Sequence, residues 1–452
     1  MDVRGKEVIV CGAGKSGVAA SNLLTAKGAL VTLYDGNKEL TKEKLKDSLT
    51  GYEAMNFIFG DLDANDVKGK EFMVLSPGIS IEAPFVKLFI ENNIPVWSEV
   101  ELAYKLGKGR LCAITGTNGK TTTTTLVGDI LKAYYDSAFV VGNIGIPYTE
   151  SAMFMREDSV TVAEISSFQL ESIIDFHPEV TAVLNVTPDH LNRHHTMEIY
   201  ADTKMAITKN QTADEVCVLN YDDEITRAMK DKIPAKTVYF SRTVKLDNGV
   251  YLDNDNICLK ENDKEEVIIR TDELKLLGAH NIENVMAAIA IAKYMGVPKD
   301  VIHDVIRDFK AVEHRIEYVA TVDGVDYYND SKGTNPDAAI KGIEAMVKPT
   351  YLIGGGYDKG VPFDDWIDAF NGKVRKLVLI GATKQMIAGT AKSHGFNEII
   401  FADSLEEAVK ICHDLANDGE AVLLSPACAS WDMFDSYEQR GELFKEYVKG
   451  LE

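Results

Sequence analysis

The chain has 452 residues, enough for about three domains of ordinary size. With 45% hydrophobic and 26% charged residues it has a globular composition, which excludes a disordered, collagenous or coiled-coil protein. Lys and Arg number 48 against 70 Asp and Glu, and the resulting net charge of −22 repels nucleic-acid backbones and anionic lipid, so a phosphorylated ligand must be held by local backbone N–H groups.

The first 17 residues contain no apolar core or small-residue cleavage site of the kind a signal peptide needs, and no run of about 18 apolar residues follows. A cytoplasmic protein is expected, with no nucleic-acid or membrane partner. The six cysteines are scattered without a C-x-x-C pair, so they read as reduced core thiols rather than as a disulfide framework or a zinc site.

A strand at 7–11 leads into the turn Gly12-Ala13-Gly14-Lys15-Ser16-Gly17, a helix at 18–27 and a strand at 29–34 that ends at Asp35. Glycines in this strand–turn–helix setting let a diphosphate approach a helix N-terminus, and the acid can accept from a ribose or a base. A full dinucleotide fold needs two such halves, yet a second phosphate loop begins by residue 116, so one nucleotide diphosphate suits the segment better. Strands at 57–59 and 72–75 follow, the latter running into Ser76-Pro77-Gly78.

A new unit starts near residue 96. Its strand at 110–115 precedes Gly116-Thr117-Asn118-Gly119-Lys120-Thr121 and a helix to about 133. Backbone N–H groups of such a loop converge on phosphate oxygens, Lys120 can reach the β- and γ-phosphates, and the Thr121 hydroxyl can ligate Mg²⁺. Ile114 stands where the standard pattern has its first glycine. Strands follow at 138–141, 160–165, 180–185 and 215–219. Glu164 and His190 fall at or beyond strand ends, where ligands of open α/β sheets collect, which makes them candidate metal ligands.

Residues 243–271 read as a small antiparallel meander and 280–294 and 299–309 as helices. From about 312 a third series places strands at 316–321, 325–329, 350–353, 376–380, 398–401 and 421–424. Three polar loops end strands there, Asn329 to Asn335, Gly354 to Lys359 and Ser425 to Ser430, and two of them carry a lysine, which suggests an anion site. The expected fold is three α/β domains, 1–97, 98–312 and 313–452: a Rossmann-like first domain, a P-loop central domain bearing the meander, and a doubly wound C-terminal domain.

The G-T-N-G-K-T loop, D-S-K-G-T-N at Asp330 to Asn335, S-P-A-C-A-S at Ser425 to Ser430 and the Glu438-Gln439-Arg440-Gly441 tail together resemble the Mur ligases, ATP-dependent amide ligases of peptidoglycan precursor synthesis. The likeness spans essentially the whole chain; D-S-K-G-T-N, S-P-A-C-A-S and the tail point to the D-glutamate-adding branch, and the D-N-P-R loop of diaminopimelate-adding relatives is absent, the region reading Thr334-Asn335-Pro336-Asp337. It implies the substrates UDP-N-acetylmuramoyl-L-alanine and D-glutamate, with ATP and Mg²⁺, in a monomer. By the resemblance, Lys15, Ser16, Asp35, Ser76, Pro77 and Gly78 bind the UDP moiety, with Asn143 and Gln169 toward the muramoyl-alanine end. Gly116, Thr117, Asn118, Gly119, Lys120, Thr121, Thr122, Asn281, Asn284, Arg315 and Asp330 would form the ATP pocket. Thr121, Glu164, His190 and a carbamylated Lys204 would hold the metal, and Lys332, Thr334, Lys359, Ser430, Trp431 and Tyr437 the D-glutamate. A nicotinamide-dependent dehydrogenase would leave Lys120 and the third domain without a role. A nucleotide switch would leave the loops of Lys332 and Lys359 without one. A Mur ligase adding another amino acid is the nearest alternative.

Overall fold

A computed structural model describes residues 1–143, 145–310 and 312–451. The chain forms two compact units, Met1–Asp272 with Glu283–Arg307, and Glu273–Ile282 with Asp308–Glu452. Three sheets carry the three expected α/β domains, two of them in the first unit. No helix among the described residues is long and apolar enough to cross a membrane. All six cysteines are buried thiols, as their apolar surroundings in the sequence foretold.

The first sheet is wholly parallel, in the order Asn56–Phe59, Leu30–Asp35, Glu7–Cys11, Phe72–Leu75, Val96–Ser98. Near-continuous apolar runs such as Phe72–Leu75, buried at every residue, are what a strand covered on both faces requires. The order reverses between Glu7–Cys11 and Phe72–Leu75, so the loops leaving these two strands flank the crevice where such folds take ligands. Helix Lys15–Ala26 starts nearly a turn before the 18–27 expected from its apolar pattern. Gly17 explains the difference. Glycine disfavours a helix interior, but a Cβ there would lie 1.7 Å from the Gly12 carbonyl oxygen, so only glycine lets the helix pack this close.

The second sheet has nine strands in the order Lys264–Arg270, Asn256–Glu261, Gly249–Asp253, Lys236–Ser241, Val216–Asn220, Val180–Val183, Arg110–Thr115, Val160–Glu164, Ala138–Gly142. The meander forms as expected, but it extends this sheet, since Gly249–Asp253 pairs in parallel with Lys236–Ser241. Its second hairpin turns on Asn262 and Asp263, both at positive φ, the conformation a tight two-residue turn demands. The phosphate-loop strand Arg110–Thr115 lies between Val160–Glu164 and Val180–Val183, pairing Ile114 with Glu164 and Thr115 with Val183.

The sheet of the second unit runs Glu317–Val322, Val325–Asn329, Ala421–Leu424, Thr350–Gly354, Val374–Leu379, Ile399–Phe401, parallel except for its first strand. That strand begins after Ile316, whose φ of 47° takes it out of extended backbone. Neighbouring strands Val325–Asn329, Ala421–Leu424 and Thr350–Gly354 bring the three polar loops to one sheet edge.

Candidate active site

Gly119, at φ 83°, precedes the helix Lys120–Tyr134, and a Cβ there would strike Asn284 Oδ1 at 2.2 Å. The loop therefore closes on a glycine for steric reasons as well as conformational ones. Asn185 clamps it: its Oδ1 accepts from Asn118 N (2.8 Å) and its Nδ2 donates to Asn118 O (3.1 Å). Lys120 Nζ donates to the carbonyls of Gly116 and Thr117, each at 2.8 Å. Thr121 and Thr122 are buried in the first helical turn, and Asn284 Oδ1 accepts from the Thr123 hydroxyl at 3.3 Å.

A cleft of about 360 Å³ opens beside this loop, its walls including Pro77, Gly78, Thr117, Lys120, Asn143, Phe168, His190 and Lys204. Lys204, on helix Met197–Met205, is 1% exposed; its Nζ donates to the same Gly116 carbonyl at 2.8 Å and lies 4.4 Å from the Tyr200 ring centre. Burial, and then the neighbouring Lys120 charge, push its ammonium well below the usual lysine range. Glu164, at the strand end facing Ile114, is buried. Its Oε1 accepts from Asn143 Nδ2 at 2.9 Å, and its Oε2 has no hydrogen-bond partner among the described residues. An uncompensated buried carboxylate oxygen is costly unless a cation meets it. That carboxylate oxygen and the Thr121 hydroxyl are both oxygen donors, the ligand type Mg²⁺ accepts. His190 adopts φ 53°, with its ring 4.8 Å from that of Phe168 and its Nε2 3.5 Å from Asp189 Oδ2.

Not every expected residue faces the cleft. Gln169 is buried with its amide engaged: Oε1 accepts from Ser166 N and Oγ, both at 2.8 Å, and Nε2 donates to Glu99 Oε1 at 2.6 Å. Burial pushes the Glu99 carboxyl up to about 7, against the opposing Gln169 donor. In the first sheet, Lys15 and Ser16 open the helix at the crevice and Ser76 leaves the facing strand. Ser76 Oγ is buried without a partner among the described residues. Asp35 uses both oxygens, accepting from Ala13 N (2.8 Å) and Asn37 N (2.9 Å), so it holds the glycine turn in shape.

In the second unit the three loops are tied to one another. Gly355 N donates to Pro426 O, Tyr357 N to Ala429 O, and Lys359 Nζ to Thr334 O at 3.3 Å. Lys332 Nζ lies 5.3 Å from the Tyr437 ring centre and Lys359 Nζ 5.7 Å from that of Trp431; Ser430, ending the third loop, is buried. Asp330 accepts from the Ser425 hydroxyl at 2.7 Å, and burial pushes its carboxyl up to about 7 despite that donor and the nearby Arg315. Asn281 Nδ2 donates to Leu277 O.

Three family models match in chain order: "Mur ligase MurD-like, N-terminal domain" at 6–98, "Mur ligase middle domain" at 114–292 and "Mur ligase, glutamate ligase domain" at 314–428. UDP-N-acetylmuramoylalanine–D-glutamate ligases of Lachnospira eligens and Lachnoclostridium phytofermentans are 53% and 52% identical to the chain, covering all of it and 100% and 99% of themselves. The chain belongs to the Mur ligase family. Among solved structures, the UDP-N-acetylmuramate-alanine ligase of Thermotoga maritima shares the fold, with a TM-score of 0.62 at 19% identity, over 99% of this chain and 100% of that one.

Four residues of this Mur ligase's candidate site were not singled out from the sequence. Arg193 and His194 directly follow the His190 segment. His194 Nε2 lies 2.9 Å from Ser167 Oγ, and burial with the flanking Arg193 and His190 charges pushes its imidazole down to about 4, so it is neutral at pH 7. Arg440, in the quoted tail, is fully buried; it donates from Nε to Ser331 Oγ (2.9 Å), from Nη2 to Ser331 O (2.7 Å) and from Nη1 to Cys428 O (3.2 Å), binding two of the three loops together. His314 is buried at φ 63° with Nδ1 3.0 Å from Asn329 Nδ2. Proximity to recognised motifs was the one available signal for the first three, and His314 neighbours Arg315.

Proposed function

We propose that this Mur ligase joins D-glutamate to UDP-N-acetylmuramoyl-L-alanine, using ATP to form an acyl phosphate and releasing ADP and phosphate. The observation that supports the reading is the convergence of Lys120, Lys204 and Asn143, the last bonded to the buried Glu164, on one cleft whose other wall is the Pro77–Gly78 turn of the first sheet. The names of relatives that match over the whole chain support this choice of substrates.

A carboxylate is a poor acyl donor because oxide would have to leave. Transfer of the γ-phosphoryl group to that oxygen supplies a good leaving group, the D-glutamate amine then attacks the acyl carbon, and phosphate departs from the tetrahedral intermediate. The first step brings two anions together, so the protein's part is positioning and charge neutralisation. Lys120 would leave its own loop carbonyls for the phosphates, and the loop N–H groups would hold them at the helix N-terminus. Thr121, Glu164 and His190 would hold Mg²⁺, which when bound neutralises phosphate charge. Lys204, its ammonium disfavoured, would react as the neutral amine with CO₂, forming an N–C bond and releasing a proton; the resulting carbamate is an anion suited to that site. Lys332, Thr334, Lys359 and Ser430 would hold D-glutamate in the second unit, Trp431 and Tyr437 bordering them. Domain limits of 1–97, 98–312 and 313–452, a monomeric state and a cytoplasmic location complete the proposal.

ADP release measured with UDP-N-acetylmuramoyl-L-alanine and a panel of amino acids tests it. D-Glutamate alone should support turnover, with EDTA abolishing it and Mg²⁺ restoring it. Turnover with a different amino acid in place of D-glutamate would assign the chain to another Mur activity.

A further inference from the structure

Arg193 lies on the short helix Leu191–His194, and its guanidinium is committed on every side. Nε and Nη2 grip Glu171, at 3.0 Å to Oε1 and 2.5 Å to Oε2. Nη1 donates to the Pro77 carbonyl at 2.9 Å and Nη2 to the Ile79 carbonyl at 3.0 Å. The guanidinium carbon lies 4.0 Å from the Phe168 ring centre. Both members of the ion pair are largely buried.

These contacts join two parts of the cleft. Pro77 and Ile79 bracket Gly78 on the first sheet's crevice loop, while Glu171 and Phe168 follow the strand that ends in Glu164. Pro77, Gly78 and Phe168 all line the cleft that holds Lys120 and Lys204. The planar fork matches a carboxylate and two carbonyls at once, and its face stacks on an aromatic ring; a lysine ammonium, with three donors around a point charge, can do neither.

We infer that Arg193 is a positioning residue that fixes the span between the nucleotide-binding crevice of the first sheet and the phosphate loop of the second. It acts through the Ser76–Ile79 turn and touches no reacting atom. A fixed span selects a nucleotide-sugar substrate by length: the carboxylate to be phosphorylated must reach Lys120 while the diphosphate stays at Lys15 and Ser16. This inference rests on the substrate proposed above. Without the clamp, each end of the substrate can still bind, but holding both together costs ordering of the turn, and affinity from the two ends no longer combines.

Calorimetric titration separates the possibilities without requiring turnover. Wild-type protein should bind UDP-N-acetylmuramoyl-L-alanine much more tightly than UDP. Arg193→Lys should lose roughly 10- to 100-fold in affinity for the full substrate, corresponding to charged hydrogen bonds, and distinctly less for UDP, which is held at one end only. In turnover its KM for that substrate should rise by a similar factor, with KM for ATP unaltered. Hydrogen exchange should speed at Gly78 and Ile79 but not at the Asn118–Thr121 amides. If Arg193→Lys does not fold, Glu171→Gln, which removes the carboxylate charge orienting the fork, should show the same pattern at smaller size. Equal affinity of either variant and wild type for the full substrate, or equal losses for UDP and full substrate, overturns the inference. Wild-type protein that binds the full substrate no better than UDP would instead count against the proposed substrate.

Discussion

In the cleft of the nine-stranded sheet, Lys120 and Lys204 both donate to the Gly116 carbonyl, whereas on the six-stranded sheet Lys332 and Lys359 lie over the rings of Tyr437 and Trp431. The first arrangement is electrostatically tense. Two amines share one neutral acceptor, one of them fully buried, and two unit charges at about 4 Å repel by roughly 4 kcal/mol at an effective dielectric of 20. The second is relaxed: each ammonium rests on a polarisable ring near water, an interaction worth about 0.5–1 kcal/mol. On the proposed function, the tense pair would receive anions whose charge changes during the reaction, and the relaxed pair would capture an anionic side chain whose charge does not change. Substitutions at the four lysines should therefore differ in kind: kcat effects in the cleft, KM effects at the loops.

The largest effect is expected at Lys120. Lys120→Ala should lower kcat by roughly 10³-fold, as when one donor to a developing charge is removed, while calorimetric affinity for UDP-N-acetylmuramoyl-L-alanine stays near wild type. A variant that loses that affinity would show that the phosphate loop and the nucleotide-sugar crevice are not separable, and the cleft would have to be treated as a single site.

Next is Lys204. Removing an anion that supports a metal site costs on the order of 10²-fold, so Lys204→Ala should lose most of its activity. Formate or acetate should restore part of it by occupying the vacated anion position, and no such rescue should appear with Lys120→Ala, where a cation has been lost. Full activity of Lys204→Ala in CO₂-depleted buffer would remove the carbamate from the account and leave Lys204 as a helix lysine satisfied by Gly116.

At the loops, Lys332→Ala should raise KM for D-glutamate by roughly 10- to 100-fold, the worth of a hydrogen bond to a charged group, with kcat at saturating D-glutamate changed far less. D-Alanine, which offers no side-chain carboxylate, should be a very poor acceptor for the wild type because a site built for that group is left unpaired. Comparable use of both amino acids would mean that the relaxed lysines serve something other than side-chain capture.

How much of this contrast was legible beforehand follows from where each signal resides. Parallel strands buried on both faces read as apolar runs, and a strand followed by G-T-N-G-K-T and a helix is a local pattern, so the sheets and the loop at Lys120 were visible. Glu164 and His190 stood out only as candidates by position, because strand ends in such sheets collect ligands. Arg193 did not: its carbonyl partners Pro77 and Ile79 lie more than a hundred residues away, and nothing local marks a surface arginine from one folded over a distant turn. The partners of Gln169 were hidden for the converse reason. It stands among cleft residues in sequence, yet its amide turns inward to Ser166 and Glu99, a choice set by tertiary packing. The tension between Lys120 and Lys204 likewise arises from 83 intervening residues folding back onto one carbonyl.

Trp431 offers the finest test of the contrast and the smallest effect. Its ring is 65% exposed, tilted against Tyr357 at 5.6 Å between centroids, with Lys359 Nζ 5.7 Å away. Next to it, Ser430 is buried and held by the loop backbone. A ring this exposed desolvates the ammonium little, so its contribution stays near the low end of the cation–π range, about 0.5 kcal/mol, and salt at 0.5 M should weaken it further. Trp431→Ala should therefore raise KM for D-glutamate about two- to threefold and leave kcat alone, and a double-mutant cycle with Lys359→Ala should return a coupling below about 1 kcal/mol. A rise beyond tenfold would mean that the ring packs on the bound amino acid as a wall of its pocket, and the second region would then owe its selectivity to shape as well as to charge.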